Sequence, residues 1–161
     1  MIGSLPQPLS RIALRIAHAL RHRWRRWRKV PLEGVSVIAR DAEGRLLLVR
    51  LSYAGAGWSF PGGGAKRGED MASAAARELR EETGCQAHRL TLVGRMEETL
   101  SGSPHTAYVY ACLTDDAPRP DGREVVEARF FPSHSLPHPM TARTRARLAF
   151  WRECERSTTA N

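Results

Sequence analysis

Glu78, Glu81 and Glu82 stand three and four residues apart in the sequence. On an α-helix, at ~100° per residue, that spacing gathers three carboxylates within about 100° of one face. Like charges so placed repel each other and weaken the helix. A plain surface helix offers nothing to offset this, whereas a divalent cation does, and hard oxygen ligands suit Mg²⁺ or Mn²⁺. Arg77, next to Glu78, can hold a carboxylate by forked hydrogen bonds. The competing reading is a charged face that is merely solvated.

The elements around these residues follow from pattern and punctuation. Asp70–Thr83 reads as a helix, with Asp70 as N-cap and Gly84 as its stop. Ala72, Ala75, Ala76 and Leu79 form its apolar face, so the carboxylates belong at the edge of a buried surface. Ala54–Gly68 has seven glycines or prolines in fifteen residues and reads as a shaped loop. Glycines there let backbone groups approach a ligand closely.

Upstream, Gly34–Arg40 and Arg45–Leu51 read as strands joined by the turn Asp41–Gly44, a hairpin. The unbroken apolar run Leu46–Val49 predicts a strand covered on both faces. Strands follow at Leu90–Met96, Thr106–Leu113 and Val125–Phe131, with the turn-rich stretch Thr114–Gly122 before the last. Thr141–Glu155 reads as a final helix. The order predicts an α/β fold, with helices packed on a mixed sheet.

The segment Gly63–Cys85 resembles the Nudix box, the signature of the Nudix hydrolases. The matching positions are Gly63, Glu69, Arg77, Glu78, Leu79, Glu81, Glu82, Gly84 and Cys85. Cys85 replaces an aliphatic residue and is itself a small hydrophobe. Lys66 stands where many members carry an acidic residue. The approach Trp58-Ser-Phe-Pro-Gly-Gly63 is similar as well. The resemblance implies a Nudix-type α/β/α sandwich over about residues 32–155. It also implies hydrolysis of a nucleoside diphosphate linked to another group, by water attacking phosphorus with Mg²⁺ or Mn²⁺.

By the same resemblance Glu78, Glu81 and Glu82 bind metal, and one of them takes the water's proton. The Gly62 carbonyl completes the metal shell, and Arg77 orients a box glutamate. Glu69, with Gly63, Leu79 and Gly84, is structural in the motif. Many members recruit a further carboxylate beyond the box. The candidates are Glu97, Glu98, Glu124 and Glu127, with Glu124 preferred and Glu127 second. Trp58, Tyr53 and Glu127 are the candidate substrate contacts, although packing against the loop is the preferred role of both aromatics.

The features that mark NADH-preferring and coenzyme A-preferring members are absent. Nucleoside triphosphates, ADP-ribose-like compounds and nucleotide sugars remain open as substrates. Two alternatives stand beside hydrolysis of such small molecules. One is a nucleotide-binding sensor or interaction module with little activity. The other is an RNA 5′-pyrophosphohydrolase.

The chain has 161 residues and a net charge of +8. Residues 1–32 hold eight basic residues and no acidic one, leaving 17 of each sign in the remainder. The charge therefore belongs to an arm, not to the body, which argues against a nucleic-acid-binding surface spread over the whole chain. Within residues 9–28, Leu9, Ile12, Ile16, Leu20, Trp24 and Trp27 share one helical face.

We divide the chain into a basic amphipathic helical arm at 1–31, a catalytic domain at 32–157 and a tail at 158–161. The preferred role of the arm's apolar stripe is packing on the domain or on a second copy in a homodimer. The alternative is contact by residues 9–29 with an anionic membrane surface or nucleic acid.

Three widely spaced cysteines suggest neither a disulfide framework nor a zinc pattern. His105, His134 and His138 lack metal-ligand spacing and read as exposed loop residues. A cytoplasmic location is expected, with peripheral membrane association as a variant. The Arg-rich arm also overlaps in composition with a mitochondrial targeting segment.

Overall fold

The computed structural model describes residues 32–52, 57–100 and 102–159. The basic arm and Tyr53 lie outside the described residues. β1 (Leu32–Arg40) and β2 (Leu46–Leu51) form the expected antiparallel hairpin. Asp41 builds its turn, accepting the Arg45 amide at 2.8 Å and Arg45 Nε at 2.6 Å.

The described part of the glycine-rich loop, from Gly57, forms two short strands. These are β3 (Trp58–Ser59) on β2 and β4 (Gly62–Gly64) on β1. β1 thus shares one edge between two partners. Arg40 pairs with Leu46 of β2, while Gly34, Val35 and Ser36 pair with Gly64, Gly63 and Gly62. The Val37 amide donates to the Pro61 carbonyl between them, at 2.8 Å.

The other edge of β1 runs parallel to β6 (Ser103–Leu113), from Leu32↔His105 to Arg40↔Leu113. β5 (His88–Leu100) completes the main order β3-β2-β1-β6-β5, and β7 (Val125–Phe131) pairs with β2. The sheet is therefore mixed. α1 (Met71–Thr83) covers one face and α2 (Ala142–Thr159) the other.

The two faces divide the apolar residues by alternation. Val35, Val37, Leu47 and Val49 pack with Ala74, Ala75 and Leu79 of α1. Ile38, Leu46 and Leu48 pack with Leu148 and Trp151 of α2. Leu46–Val49 is buried on both sides, as its unbroken apolar run requires.

The β5–β6 hairpin extends beyond the expected Leu90–Met96 and Thr106–Leu113. The polar stretch Glu97–Thr99 lacks apolar alternation, yet its pairing continues to Leu100↔Ser103 around Gly102. This corrects the reading of His105 as an exposed loop residue. It lies within β6 and is buried, with Nδ1 2.9 Å from Glu98 Oε1. His134 and His138 are exposed, as expected.

Candidate active site

α1 is capped as its sequence predicts. The Asp70 carboxylate accepts the Ser73 amide at 2.9 Å, and Gly84 ends the helix at φ 72°. Its buried stripe is rotated from the expected one. Ala74, Ala75, Leu79, Glu82 and Thr83 are buried, whereas Ala72 is exposed. Hydrophobicity alone keeps a glutamate out of such a stripe. Glu82 enters it because the loop provides a partner: its Oε2 accepts the Gly62 amide at 3.0 Å.

β4 brings the glycines to this position, and their lack of side chains is required. A Cβ on Gly62 would stand 2.2 Å from the Val35 carbonyl oxygen. A Cβ on Gly63 would stand 2.6 Å from the Glu78 carboxyl carbon. Any larger residue would displace either the strand pairing or the carboxylate.

Arg77 ties loop to helix. Its Nε and Nη2 donate to Glu69 at 2.8 and 2.9 Å, and Nη2 also donates to the Gly64 carbonyl at 3.0 Å. Nη1 donates to Glu78 at 2.8 Å and to Glu81 at 3.1 Å. The planar guanidinium matches a carboxylate edge-on, a geometry a lysine ammonium lacks. Glu69 also accepts the Lys66 amide at 2.8 Å. The Arg77 fork and then that amide hold the Glu69 carboxyl down at about 2.

The remaining carboxylates are shifted the other way. Burial raises Glu78, against the pull of Arg77, and the charges of Glu81 and Glu124 add to the rise. Burial pushes Glu82 well above the usual carboxylate range, opposed by the Gly62 amide and reinforced by Glu78, Glu124 and Asp121. Glu124, outside the box, is thus within electrostatic reach of both the half-buried Glu78 and the buried Glu82. Burial without enough positive charge is the arrangement that a hard divalent cation relieves. Among the described residues, no three His, Cys, Asp or Glu side chains converge as ligands in this arrangement. Arg77 engages Glu78 and Glu81, and Gly62 engages Glu82, so gathering a cation requires these carboxylates to turn.

The NUDIX domain family matches residues 30–151, about three-quarters of the chain. The chain belongs to the NUDIX family. Its sequence is 39% identical over 69 residues to an RNA pyrophosphohydrolase of Sphingopyxis alaskensis, a stretch covering 42% of each chain. The matched stretch thus spans under half of that relative. A MutT NUDIX hydrolase from Burkholderia pseudomallei superposes with a TM-score of 0.68 at 28% identity, covering 74% of this chain and 97% of that one. The NUDIX domain of Shewanella oneidensis NrtR, solved with ADP ribose, gives 0.66 at 18% identity, covering 77% and 88%. At that identity the last likeness is one of fold.

Within this NUDIX fold the other candidates fall in separate places. Glu98 Oε1 lies 2.7 Å from Arg147 Nη2 and 2.9 Å from His105, tying α2 to the β5–β6 hairpin. Glu97 accepts the Thr106 hydroxyl. Neither is drawn into the set formed by Glu78, Glu82 and Glu124. Glu127 pairs with Arg50 at 2.7 Å, and the Arg50 guanidinium lies 5.8 Å from the Trp58 ring centroid. Trp58 is buried in the α2-side cluster, edge-on to Phe131 at 4.8 Å. The structure therefore groups Trp58 with Glu127, while α1 carries its carboxylates on the opposite face.

Asp121 was not among the sequence candidates. Its available signal was the Asp-Gly pair just before a strand, a common turn signature. Among the described residues, no helix is long and apolar enough to cross a membrane.

Proposed function

We propose that this chain is a metal-dependent Nudix pyrophosphohydrolase that cleaves a phosphoanhydride bond in a nucleoside diphosphate linked to another group. The observation that carries this reading is the buried Glu82, held by the Gly62 amide beside Glu78 and within the field of Glu124. Glu78, Glu81, Glu82 and Glu124, with the Gly62 carbonyl, are the residues that would hold Mg²⁺ or Mn²⁺. The bound cation would activate water and offset charge on the diphosphate oxygens.

Water adds to phosphorus as the bridging P–O bond breaks, and one of the box glutamates takes the water's proton. Arg77, fixed by Glu69, holds Glu78 and Glu81 beside the site, and they turn from that fork to take a cation. Trp58, Tyr53 and Glu127 are the candidates for the substrate's remaining parts, with packing the preferred role of the two aromatics. ADP-ribose-like compounds, nucleotide sugars and nucleoside triphosphates are the candidate substrates. We assign the basic helix to residues 1–31, the catalytic domain to 32–157 and the tail to 158–161, with α2 running on through Thr159 into that tail. The arm's role is packing on the domain or pairing two copies, and the location is cytoplasmic.

One observation favours a second reading. The 39% identity to an RNA pyrophosphohydrolase, with eight basic residues in the arm, fits removal of pyrophosphate from an RNA 5′ end. The experiment is a panel with Mg²⁺: ADP-ribose, nucleotide sugars, nucleoside triphosphates and 5′-triphosphorylated RNA. The Glu82→Gln variant and a chain lacking residues 1–31 are assayed in parallel. Turnover on one class, lost in Glu82→Gln, supports the enzyme and names its substrate group. RNA turnover that falls without the arm favours the second reading. Nucleotide binding without turnover on any compound points instead to a sensor.

A further inference from the structure

Glu124 lies just before β7, in a turn whose shape one side chain dictates. Asp121 Oδ1 accepts the amides of Arg123 and Val125, each at 2.9 Å. Its Oδ2 accepts the Glu124 amide at 3.4 Å. Three successive N–H groups therefore converge on one carboxylate. A side chain that binds the backbone after it fixes those dihedrals without help from a strand or helix.

The turn is tied down on its other sides. Gly122 follows with φ 71° and donates to the Val125 carbonyl at 3.0 Å. The Ser52 amide donates to the Glu124 carbonyl at 2.8 Å. The backbone of Glu124 is thus held at both its N–H and its C=O, and this sets the direction in which its side chain leaves.

We propose that Asp121 is a positioning residue: its turn fixes the backbone of Glu124, the carboxylate assigned to the cation site from outside the box. The inference rests on the reading of Glu124 as part of the cation site. It assigns Asp121 no contact with the cation or the substrate. The acceptor geometry at Oδ1 carries the role, and the Asp121 charge that reaches Glu82 is a separate effect.

The test is Mn²⁺ binding by the full chain, followed through the paramagnetic resonance signal of the free ion, with thermal melts run alongside. Asp121→Asn keeps the Oδ1 acceptor for Arg123 and Val125, gives up only the long 3.4 Å bond from the Glu124 amide, and is expected to bind Mn²⁺ within about threefold of the wild type. Asp121→Ala loses the turn and is expected to weaken binding about 10- to 100-fold, as loss of outer-shell support does. Asp121→Glu keeps the charge but is one methylene too long for the turn, and is expected to behave like Ala. If the alanine variant fails to fold, the contrast between Asn and Glu carries the test. On a Glu124→Gln background, Asp121→Ala should add nothing, because both changes remove the same contribution.

Wild-type affinity in Asp121→Ala overturns the proposal, as does Asn behaving like Ala while Glu rescues. Independent, multiplying losses in the double variant also overturn it. Glu124→Gln with unchanged binding removes the basis for Asp121, yet loss in Glu82→Gln would leave the box assignment standing. Absence of turnover on every substrate bears on the proposed activity alone, since the readout here is the metal.

Discussion

Gly63 and Glu78 are in steric contact across the loop–helix junction: a Cβ on Gly63 would meet the Glu78 carboxyl carbon at 2.6 Å. Swinging Glu78 aside would cost it the bond from Arg77 Nη1, at 2.8 Å. Gly63→Ala should therefore break the Arg77–Glu78 bond while leaving the core intact. A displacement of about 1 Å at a reacting centre can cost about 100-fold in rate. We expect a kcat loss of that order, with a melting temperature close to that of the wild type. Steady-state kinetics and thermal melts check it, and full activity in the alanine variant would show that Glu78 tolerates displacement.

Arg77 should not be replaceable by lysine. Its fork spans Glu69 while the same guanidinium reaches Gly64, Glu78 and Glu81. An ammonium keeps the charge but loses the planar geometry. Arg77→Lys is expected to lower metal affinity or activity about 10- to 100-fold. Comparison of Mn²⁺ affinity in the two proteins checks it. Equal affinity would mean that charge alone suffices.

The pH dependence of stability separates the carboxylates. Glu78 and Glu82 titrate above the ordinary 4.5 because they are buried. The folded state then keeps protons that the unfolded chain has already released. This favours folding fully below about pH 4.5, and the advantage is lost as pH rises through the folded values. Glu69, held at about 2, does the reverse: its contribution is present above 4.5 and lost as pH falls toward 2. In EDTA, the melting temperature should fall as pH rises above about 5, and Glu82→Gln should flatten that fall. Mg²⁺ should stabilise more as pH rises, since it binds the ionised form. Melts across pH decide it, and an equal fall in the glutamine variant would remove Glu82 as the cause.

Trp58 tests how far an aromatic beside the box belongs to the substrate. It is buried against Phe131 and the α2-side core. Loss of a buried Trp costs about 3–5 kcal/mol. Trp58→Ala should lower stability by that order in denaturant titrations. A loss of stability with KM unchanged assigns Trp58 to packing, and a raised KM in a stable variant assigns it to the substrate.

The box was legible because its chemistry is local. Helix spacing alone places Glu78, Glu81 and Glu82 together, and Asp70 and Gly84 bound the helix by rules of capping. The β1–β2 hairpin, the Val125–Phe131 strand and the mixed sheet follow equally local patterns. The rest depends on contacts distant in sequence. Glu82 looks like a surface residue until β4 brings the Gly62 amide to it, twenty positions away. Ala72 looks buried until the rotation that buries Glu82 exposes it. His105 looks like a loop residue because no apolar alternation marks Glu97–Thr99 as a strand. Asp121 acts only through the backbone of its neighbours, and residue type does not display such a role.

The central claim is that Glu78 and Glu82 of α1 hold a divalent cation. Calorimetric titration of Mn²⁺ into the wild type, Glu78→Gln and Glu82→Gln at pH 8 tests it most directly. The account predicts saturable binding by the wild type and a loss of at least about tenfold in each variant. Binding of equal strength in all three would contradict it.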